Sequence, residues 1–142
     1  MASYGVHFCE VRVHATTRQV HVTRMVSAFD CGRIINPRTA RSQIMGTIVM
    51  GIGMALLEEA AYDEGSGRLM TPDLAEYHVP VNADIPALEV HFLGIPDPHA
   101  PLGAKTVGEI GITGVAAAVA NAVYHATGIR VRDLPITVDK LL

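Results

Sequence analysis

The stretch Gly103-Ala-Lys-Thr-Val-Gly-Glu109-Ile-Gly-Ile-Thr-Gly114 leads directly into the alanine-rich run 115–126. Glycines adopt backbone conformations that are closed to other residues, and they let the backbone come close to a ligand. The start of a helix adds free N–H groups and the positive end of the helix dipole, which favour an ionised carboxylate nearby. The stretch therefore fits two structures, since it is either a ligand-binding loop with Glu109 as a proton acceptor or a tight glycine turn with a glutamate at the surface.

Before this stretch, residues 5–61 predict a β-hairpin followed by a long helix. Residues 5–15 and 19–30 alternate apolar and polar side chains and are joined by Thr16-Thr17-Arg18, so each strand should have one solvated face. Pro37 suits a first helical turn, and the apolar run after it predicts a helix over 37–61. Its three glycines each cost about 1 kcal/mol of helix propensity relative to alanine, which is tolerated where a neighbouring backbone or a flat ligand comes close.

The C-terminal half predicts shorter elements that are separated by prolines and glycines. The alanine-rich run predicts a helix that ends at Gly128. The other expected elements are a turn at 63–67, extended pieces at 69–70 and 75–81, a strand at 88–93 and an irregular loop at 96–101. Together they predict one domain over residues 1–142 with an α+β fold: a β-hairpin and a mixed sheet packed with a long glycine-containing helix and an alanine-rich helix.

The composition indicates a chain that is partly covered by a partner. Hydrophobic residues make up 49% of the 142 residues and charged residues only 18%. A single domain of this size with so little charge predicts association with a second copy of itself or with a larger protein. The net charge is −3 and the basic residues are scattered, so the sequence offers no electrostatic basis for nucleic-acid binding.

The cysteines and the N-terminus bear on the compartment. Cys9 and Cys31 are too few for a disulfide framework and lack metal-ligand spacing, which fits a reduced, cytoplasmic setting, although two cysteines can also pair. The N-terminus lacks the basic start and apolar core of a signal peptide. The uncharged run 44–57 has 14 residues, whereas a bilayer span needs about 20. We therefore expect a core helix there and no membrane span.

Four segments together carry a family resemblance. They are Asp30-Cys-Gly-Arg-Ile-Ile-Asn-Pro37, Gln43-Ile-Met-Gly-Thr-Ile-Val-Met-Gly-Ile-Gly-Met-Ala-Leu-Leu-Glu-Glu59, residues 103–111, and Arg132-Asp-Leu-Pro-Ile-Thr137. In this order and spacing they resemble the C-terminal part of the molybdenum-binding subunit of the molybdenum hydroxylases, the xanthine dehydrogenase and aldehyde oxidase family. The resemblance covers nearly the whole chain. It is nearest to the beta subunit of isoquinoline 1-oxidoreductase, because Ile-Gly-Ile-Thr-Gly follows Glu109.

The resemblance implies a role for specific residues. In the family a pyranopterin holds the molybdenum, so the protein supplies no direct metal ligand. Glu109 stands at the position of the family's general base, which serves the hydroxylation of an electron-poor carbon with oxygen from water. Gln43 stands where the family places a glutamine that hydrogen-bonds the pterin, although from the residues alone it is equally a polar residue in the first turns of a helix. Further residues lie in loops that resemble cofactor-facing loops and would act through backbone N–H groups, with Cys31 alternatively a small packed residue: Cys31, Gly32, Lys105, Thr106, Val107 and Gly108.

The chain also departs from the family pattern. Thr106 stands where related sequences carry a very small residue, and the family's subunits are several times longer than this chain. We therefore expect residues 1–142 to be the C-terminal part of a molybdopterin-binding domain, without the upstream domains, and to be inactive and free of cofactor in isolation.

The resemblance further implies the partners of the complete enzyme. That enzyme would carry molybdenum on molybdopterin in its cytosine dinucleotide form and oxidise an aldehyde or an N-heterocycle. Its electrons would leave through an iron–sulfur subunit, because this chain has no cysteine pattern for a cluster. It would lie in the cytoplasm, or in the periplasm if a partner carries it there. The alternative is a non-catalytic interaction domain that self-associates as a homo-oligomer without cofactor.

Overall fold

A computed structural model describes residues 2–142, and it begins with the hairpin expected from the sequence. Strand β1 (Tyr4–Val13) pairs antiparallel with strand β2 (Val20–Asp30). Half-buried and exposed side chains alternate along β1 from His7 to Val13. The predicted hairpin and its solvated face are therefore confirmed.

A β-bulge changes which side chains of β2 point inward. The register shifts between Glu10 and Val11, which leaves Thr23 as an extra residue in β2. An extra residue interrupts the two-residue periodicity of a strand. As a result, the buried positions of β2 step from Val22 to Met25, three residues apart, and then continue in alternation.

The sheet is mixed because its third strand runs in the opposite sense to β1. Strand β3 (Ala87–Phe92) pairs parallel with β2, and the strand order is β1-β2-β3. This confirms the predicted strand at 88–93 to within one residue. Parallel neighbours need a long crossover connection, and here residues 31–86 supply it.

Helix α1 (Pro37–Leu56) begins where the sequence predicted and ends earlier. The Asn36 side-chain oxygen caps its N-terminus by accepting from two backbone N–H groups of the first turn. The prediction of a helix to residue 61 was wrong. The N–H groups of Leu57 and Glu58 both donate to the Gly53 carbonyl at 2.9 Å, which turns the chain out of the helix. Beyond the helix end, the Tyr77 hydroxyl donates to the Glu58 carboxylate at 2.9 Å.

The segment after α1 folds into turns. Asp63 accepts hydrogen bonds from the backbone and side chain of Ser66, which confirms the predicted turn at 63–67. The predicted extended piece at 75–81 was wrong in its first half. Asp73 accepts from the N–H of Ala75 through its side chain and from the N–H of Tyr77 through its carbonyl, and these bonds make a turn. Of the piece at 69–70, only Leu69 forms an isolated β-bridge.

Helix α2 (Val115–Thr127) ends at Gly128, as predicted, with that glycine at a φ of 75°. It packs against both α1 and β1. The two helices approach closely, because a side chain at Gly51 would lie 2.6 Å from Val115 Cβ. The α+β fold class predicted from the sequence is confirmed. The largest buried side chains of the core are Val22, Met25, Phe29, Ile44, Ile48, Ile52, Val115, Val119, Val123 and Leu141.

One segment within residues 2–142 is long and apolar enough to cross a bilayer by length and composition alone. It covers Glu109–Thr127, with 19 residues and a mean hydropathy of 1.2. The structure divides it into a short 3₁₀ turn at Glu109–Gly111 and the 13 residues of α2. Within α2, Val115, Val119 and Val123 are buried in the core.

Candidate functional site

Two loops predicted to face a ligand meet at the end of β2. The N–H of Arg33 donates to the Gly103 carbonyl at 2.7 Å, and the N–H of Lys105 donates to the Cys31 carbonyl at 2.9 Å. Between them lies Gly32, which has a φ of 69° and leaves no space for a side chain beside Gly103 and Lys105. We call this contact between residues 31–33 and 103–105 the loop junction.

A buried ion pair lies beneath the loop junction. The Lys105 ammonium is 2.9 Å from Asp30 Oδ2, and each side chain is only 8% exposed. The other Asp30 oxygen accepts from the N–H of Gly32 at 3.0 Å. The Lys105 ammonium and then the Gly32 N–H lower the pKa of Asp30, while the hydrogen bond to Asp30 raises the pKa of Lys105. Both groups therefore stay charged, and the pair joins the last residue of β2 to the glycine-rich loop.

Sequence analysis did not identify Asp30 as part of the site. The sequence did contain a signal for Asp30, because a carboxylate at the end of an apolar strand needs a charged or hydrogen-bonding partner when it is buried. The chain has only two lysines, Lys105 and Lys140, and one of them lies in the glycine-rich loop. The pairing still spans 75 residues of sequence, which spacing does not reveal.

Gln43 lies on the exposed side of α1, beside the loop junction. It lines a cleft between the start of the helix and the two loops, and also a second open depression along α1. The cleft brings Gln43 together with Lys105 and Val107, three residues that the sequence had placed at the cofactor. The other residues lining the cleft are Arg33, Ile34, Ile35, Asn36, Thr39, Ala40 and Ala104.

Glu109 begins a 3₁₀ turn in the loop before α2, and the helix starts at Val115, as the sequence predicted. The N–H of Ile112 donates to the Glu109 carbonyl at 3.1 Å, and α2 begins only at Val115. Because dipole effects fall off within one helical turn, the N-terminus of α2 does not act directly on the Glu109 carboxylate. The side chain is exposed, and no hydrogen bond from residues 2–142 reaches it.

The turn that carries Glu109 packs against α1 close to Gln43. Gly111 is buried beside Thr47 and Ile44. The Thr47 hydroxyl donates to the Ile44 carbonyl at 2.9 Å and lies 3.2 Å from the Gln43 carbonyl. The turn that carries Glu109 is therefore packed against the helix that carries Gln43.

Between the loop junction and this turn, the backbone offers free donors. Within residues 2–142, no hydrogen bond uses the N–H groups of Thr106, Val107 or Gly108, whereas the Thr106 carbonyl accepts from Ser3 Oγ at 2.6 Å. The expected backbone donors are thus available at these three residues. In contrast, the N–H groups of Gly32 and Lys105 are already bonded inside the protein.

Cys31 is completely buried, and burial raises the pKa of its thiol. A neutral, inaccessible thiol is a packing residue rather than a nucleophile. Within the part of the chain that the structure describes, no group of three or more His, Cys, Asp or Glu residues is placed to hold a metal ion.

Comparison with known proteins identifies the family of this site. Residues 1–86 match the family model of the molybdopterin cofactor-binding domain. The chain belongs to this family. The chain is 56% identical over 142 residues to the molybdenum-binding subunit of the aldehyde oxidoreductase of Escherichia coli K12, and the match covers 99% of this chain and 19% of that subunit. It is 39% identical over 139 residues to a putative xanthine dehydrogenase molybdenum-binding subunit of the same organism, covering 98% of this chain and 18% of the relative.

Solved structures agree with this assignment. The aldehyde oxidoreductase from Desulfovibrio desulfuricans matches with a TM-score of 0.89 and 33% identity, covering 99% of this chain and 15% of that protein. Quinoline 2-oxidoreductase from Pseudomonas putida 86 matches with a TM-score of 0.85 and 34% identity, covering 92% of this chain and 17% of the other. The family resemblance inferred from the sequence is confirmed, while the isoquinoline subtype stays a prediction. The chain spans less than a fifth of the length of the relatives named above.

The residues present fit a molybdopterin. A pterin brings its own metal ligands, so it needs hydrogen-bond donors and acceptors and open space from the protein. The N–H groups of Thr106, Val107 and Gly108, which have no partner within residues 2–142, and the exposed amide of Gln43 would supply these groups. A side chain built at Gly46 or at Gly108 would meet no atom within 4 Å, so the surface beside them is open.

Proposed function

We propose that this chain forms one side of the cofactor site of a molybdenum hydroxylase. The complete enzyme would hydroxylate an aldehyde or an N-heterocycle at an electron-poor carbon, using oxygen from water. The observation that carries the proposal is the position of Glu109. Its exposed carboxylate follows directly after three N–H groups that have no partner within residues 2–142, on a turn packed against α1, the helix that carries Gln43.

In this proposal each residue has a defined task. Bound molybdopterin supplies the metal and the electron-accepting chemistry. The Glu109 carboxylate accepts the proton of the water-derived nucleophile as it attacks the substrate carbon, which contributes about 10²–10⁴-fold to the rate. The Gln43 amide presents donors and an acceptor in one plane to the flat pterin. The N–H groups of Thr106, Val107 and Gly108 orient the polar groups of the cofactor, and the side chain of Thr106 narrows the substrate side.

The rest of the site would come from other parts of a larger assembly. The chain covers 19% of its 56%-identical relative, which is named as a molybdenum-binding subunit. Apolar side chains are exposed on the outer face of β1 and on α1, among them Val6, Phe8, Met50 and Met54. Their exposure supports the proposal that further protein covers these two surfaces. We propose that residues 1–142 are the C-terminal part of the molybdopterin-binding domain.

Several finer features of this assembly belong to the same proposal. The enzyme would carry the cytosine dinucleotide form of the cofactor, pass electrons to an iron–sulfur subunit and lie in the cytoplasm. The chain by itself would be inactive and free of cofactor.

A non-catalytic domain that self-associates is the second candidate, and the same exposed apolar residues favour it. Native mass spectrometry with molybdenum analysis on the chain recovered from its own cells separates the two. The hydroxylase proposal expects larger partner sequence in the same assembly and molybdenum in a stoichiometric amount with this chain. A metal-free homo-oligomer would contradict it and support the interaction domain.

A further inference from the structure

The segment that carries Glu109 is held at both ends, and between them the Thr106 carbonyl accepts from Ser3 Oγ and Val107 packs against the core. At one end, Lys105 is bonded to Asp30 and to the Cys31 carbonyl. At the other end, Gly111 is packed against Thr47. The free N–H groups and the exposed carboxylate all lie in the short stretch between these two fixed ends.

The attachment at Lys105 depends on the opposite charges of Lys105 and Asp30. Asp30 is the last residue of β2, so its carboxylate is held by the sheet. Each oxygen of this carboxylate has a partner, since one accepts from Lys105 Nζ at 2.9 Å and the other from the N–H of Gly32 at 3.0 Å. The ammonium also lies 5.2 Å from the centre of the Tyr4 ring, which is a favourable cation–π distance. With each side chain only 8% exposed, loss of one partner leaves a buried charge without compensation.

The loop junction combines this pair with the two backbone hydrogen bonds from Arg33 to Gly103 and from Lys105 to Cys31. Three interactions therefore join residues 30–33 to residues 103–105. Of these three, only the ion pair can be removed by changing a side chain. Lys105 is only four residues before Glu109 in the sequence, so a shift at the loop junction should also displace Glu109.

From this arrangement we infer that Asp30 and Lys105 are positioning residues, which place Glu109 and the three free N–H groups by fixing the loop junction to the end of β2. This inference rests on the proposed function of Glu109. In this inference the Lys105 side chain acts from inside the protein. Asp30, which lies outside the glycine-rich loop, affects the reaction only by positioning that loop.

The test uses the complete enzyme with three variants: Lys105→Met, Asp30→Asn, and the two changes combined. Asp30→Asn keeps the shape and the acceptor for the Gly32 N–H, so it remains informative if Lys105→Met does not fold. Arg24→Gln is the matched control, because the Arg24–Glu89 pair is similarly short but its side chains are 53% and 43% exposed. The readouts are amide hydrogen exchange, molybdenum content, and kcat and KM per molybdenum.

Each single variant should speed hydrogen exchange at the N–H groups of Lys105 and Arg33 by at least about tenfold while exchange in α2 stays the same. kcat per molybdenum should fall more than KM changes. The double variant should recover part of the loss, since it leaves no buried charge unpaired. Arg24→Gln should alter none of these quantities.

Two results would overturn the inference. One is unchanged exchange at the loop junction in both single variants. The other is faster exchange with unchanged kcat per molybdenum, which would make the pair merely structural. If Glu109→Gln leaves wild-type turnover intact, the proposed function fails instead, and the exchange data still report whether the pair fixes the junction.

Discussion

Gly111 lies so close to Thr47 that a methyl group at residue 111 would overlap the Thr47 hydroxyl. Extra atoms in a packed site cost about 1–3 kcal/mol because neighbours must move. We therefore expect Gly111→Ala to lower the free energy of unfolding by about this amount and to displace the turn that carries Glu109. Urea denaturation measures the first effect, and an unchanged unfolding midpoint would show that the contact is not as close as described.

A larger residue at Gly46 should not destabilise the chain, because a side chain there would meet no atom of the chain within 4 Å. Leucine is a better helix former than glycine, so Gly46→Leu should raise the stability of the isolated chain by about 0.5–1 kcal/mol. In the complete enzyme the same change should reduce molybdenum loading, since the open surface beside Gln43 would be filled. Ala117→Leu, at an exposed position of α2, is the control. Normal loading in the Gly46→Leu enzyme would show that nothing binds closely at this surface.

His7 should make the stability depend on pH. It is half-buried, its Nδ1 lies 2.7 Å from Ser27 Oγ, and its ring packs edge-on to Phe29 and against Gly114. Burial lowers the pKa of His7 below the value of a free histidine, which is about 6.5. In the range between the two pKa values the unfolded chain binds more protons, so stability is present above about pH 6.5 and is lost as the pH falls below it.

The measurement is the free energy of unfolding against pH for the wild type, His7→Gln and His99→Gln. His99 is exposed in the proline-rich loop and serves as the control. We expect the loss of stability on acidification to become smaller in His7→Gln and to remain in His99→Gln. An equal pH dependence in all three proteins would assign it to other groups.

The sequence predicted the elements whose signals are local. The alternation in β1 and β2, the Asn36-Pro37 helix start and Gly128 at the end of α2 each act within a few residues, and the structure has all of them. The end of α1 was missed because the backbone closes on the Gly53 carbonyl at Leu57 and Glu58, and Glu58 then bonds Tyr77, which lies 19 residues away in the sequence.

The candidate site shows the same limit. The glycine-rich loop and Gln43 were recognised from motifs, and the structure places them side by side. Neither the Asp30–Lys105 pair nor the contact between Thr47 and Gly111 was predictable, because each joins residues more than 60 positions apart. These two contacts fix the segment that presents Glu109, so sequence motifs indicated the chemistry but not what holds it in place.

The most direct test of the account is turnover of the complete enzyme carrying Glu109→Gln, with molybdenum content measured on the same sample. Glutamine has nearly the same shape but cannot accept the proton, so turnover per molybdenum should fall by about 10²–10⁴-fold while the metal content stays the same. Glu64→Gln is the matched control, because Glu64 is an exposed carboxylate in the turn at 63–67. Undiminished turnover in Glu109→Gln at equal molybdenum content would contradict the assignment of Glu109 as the base.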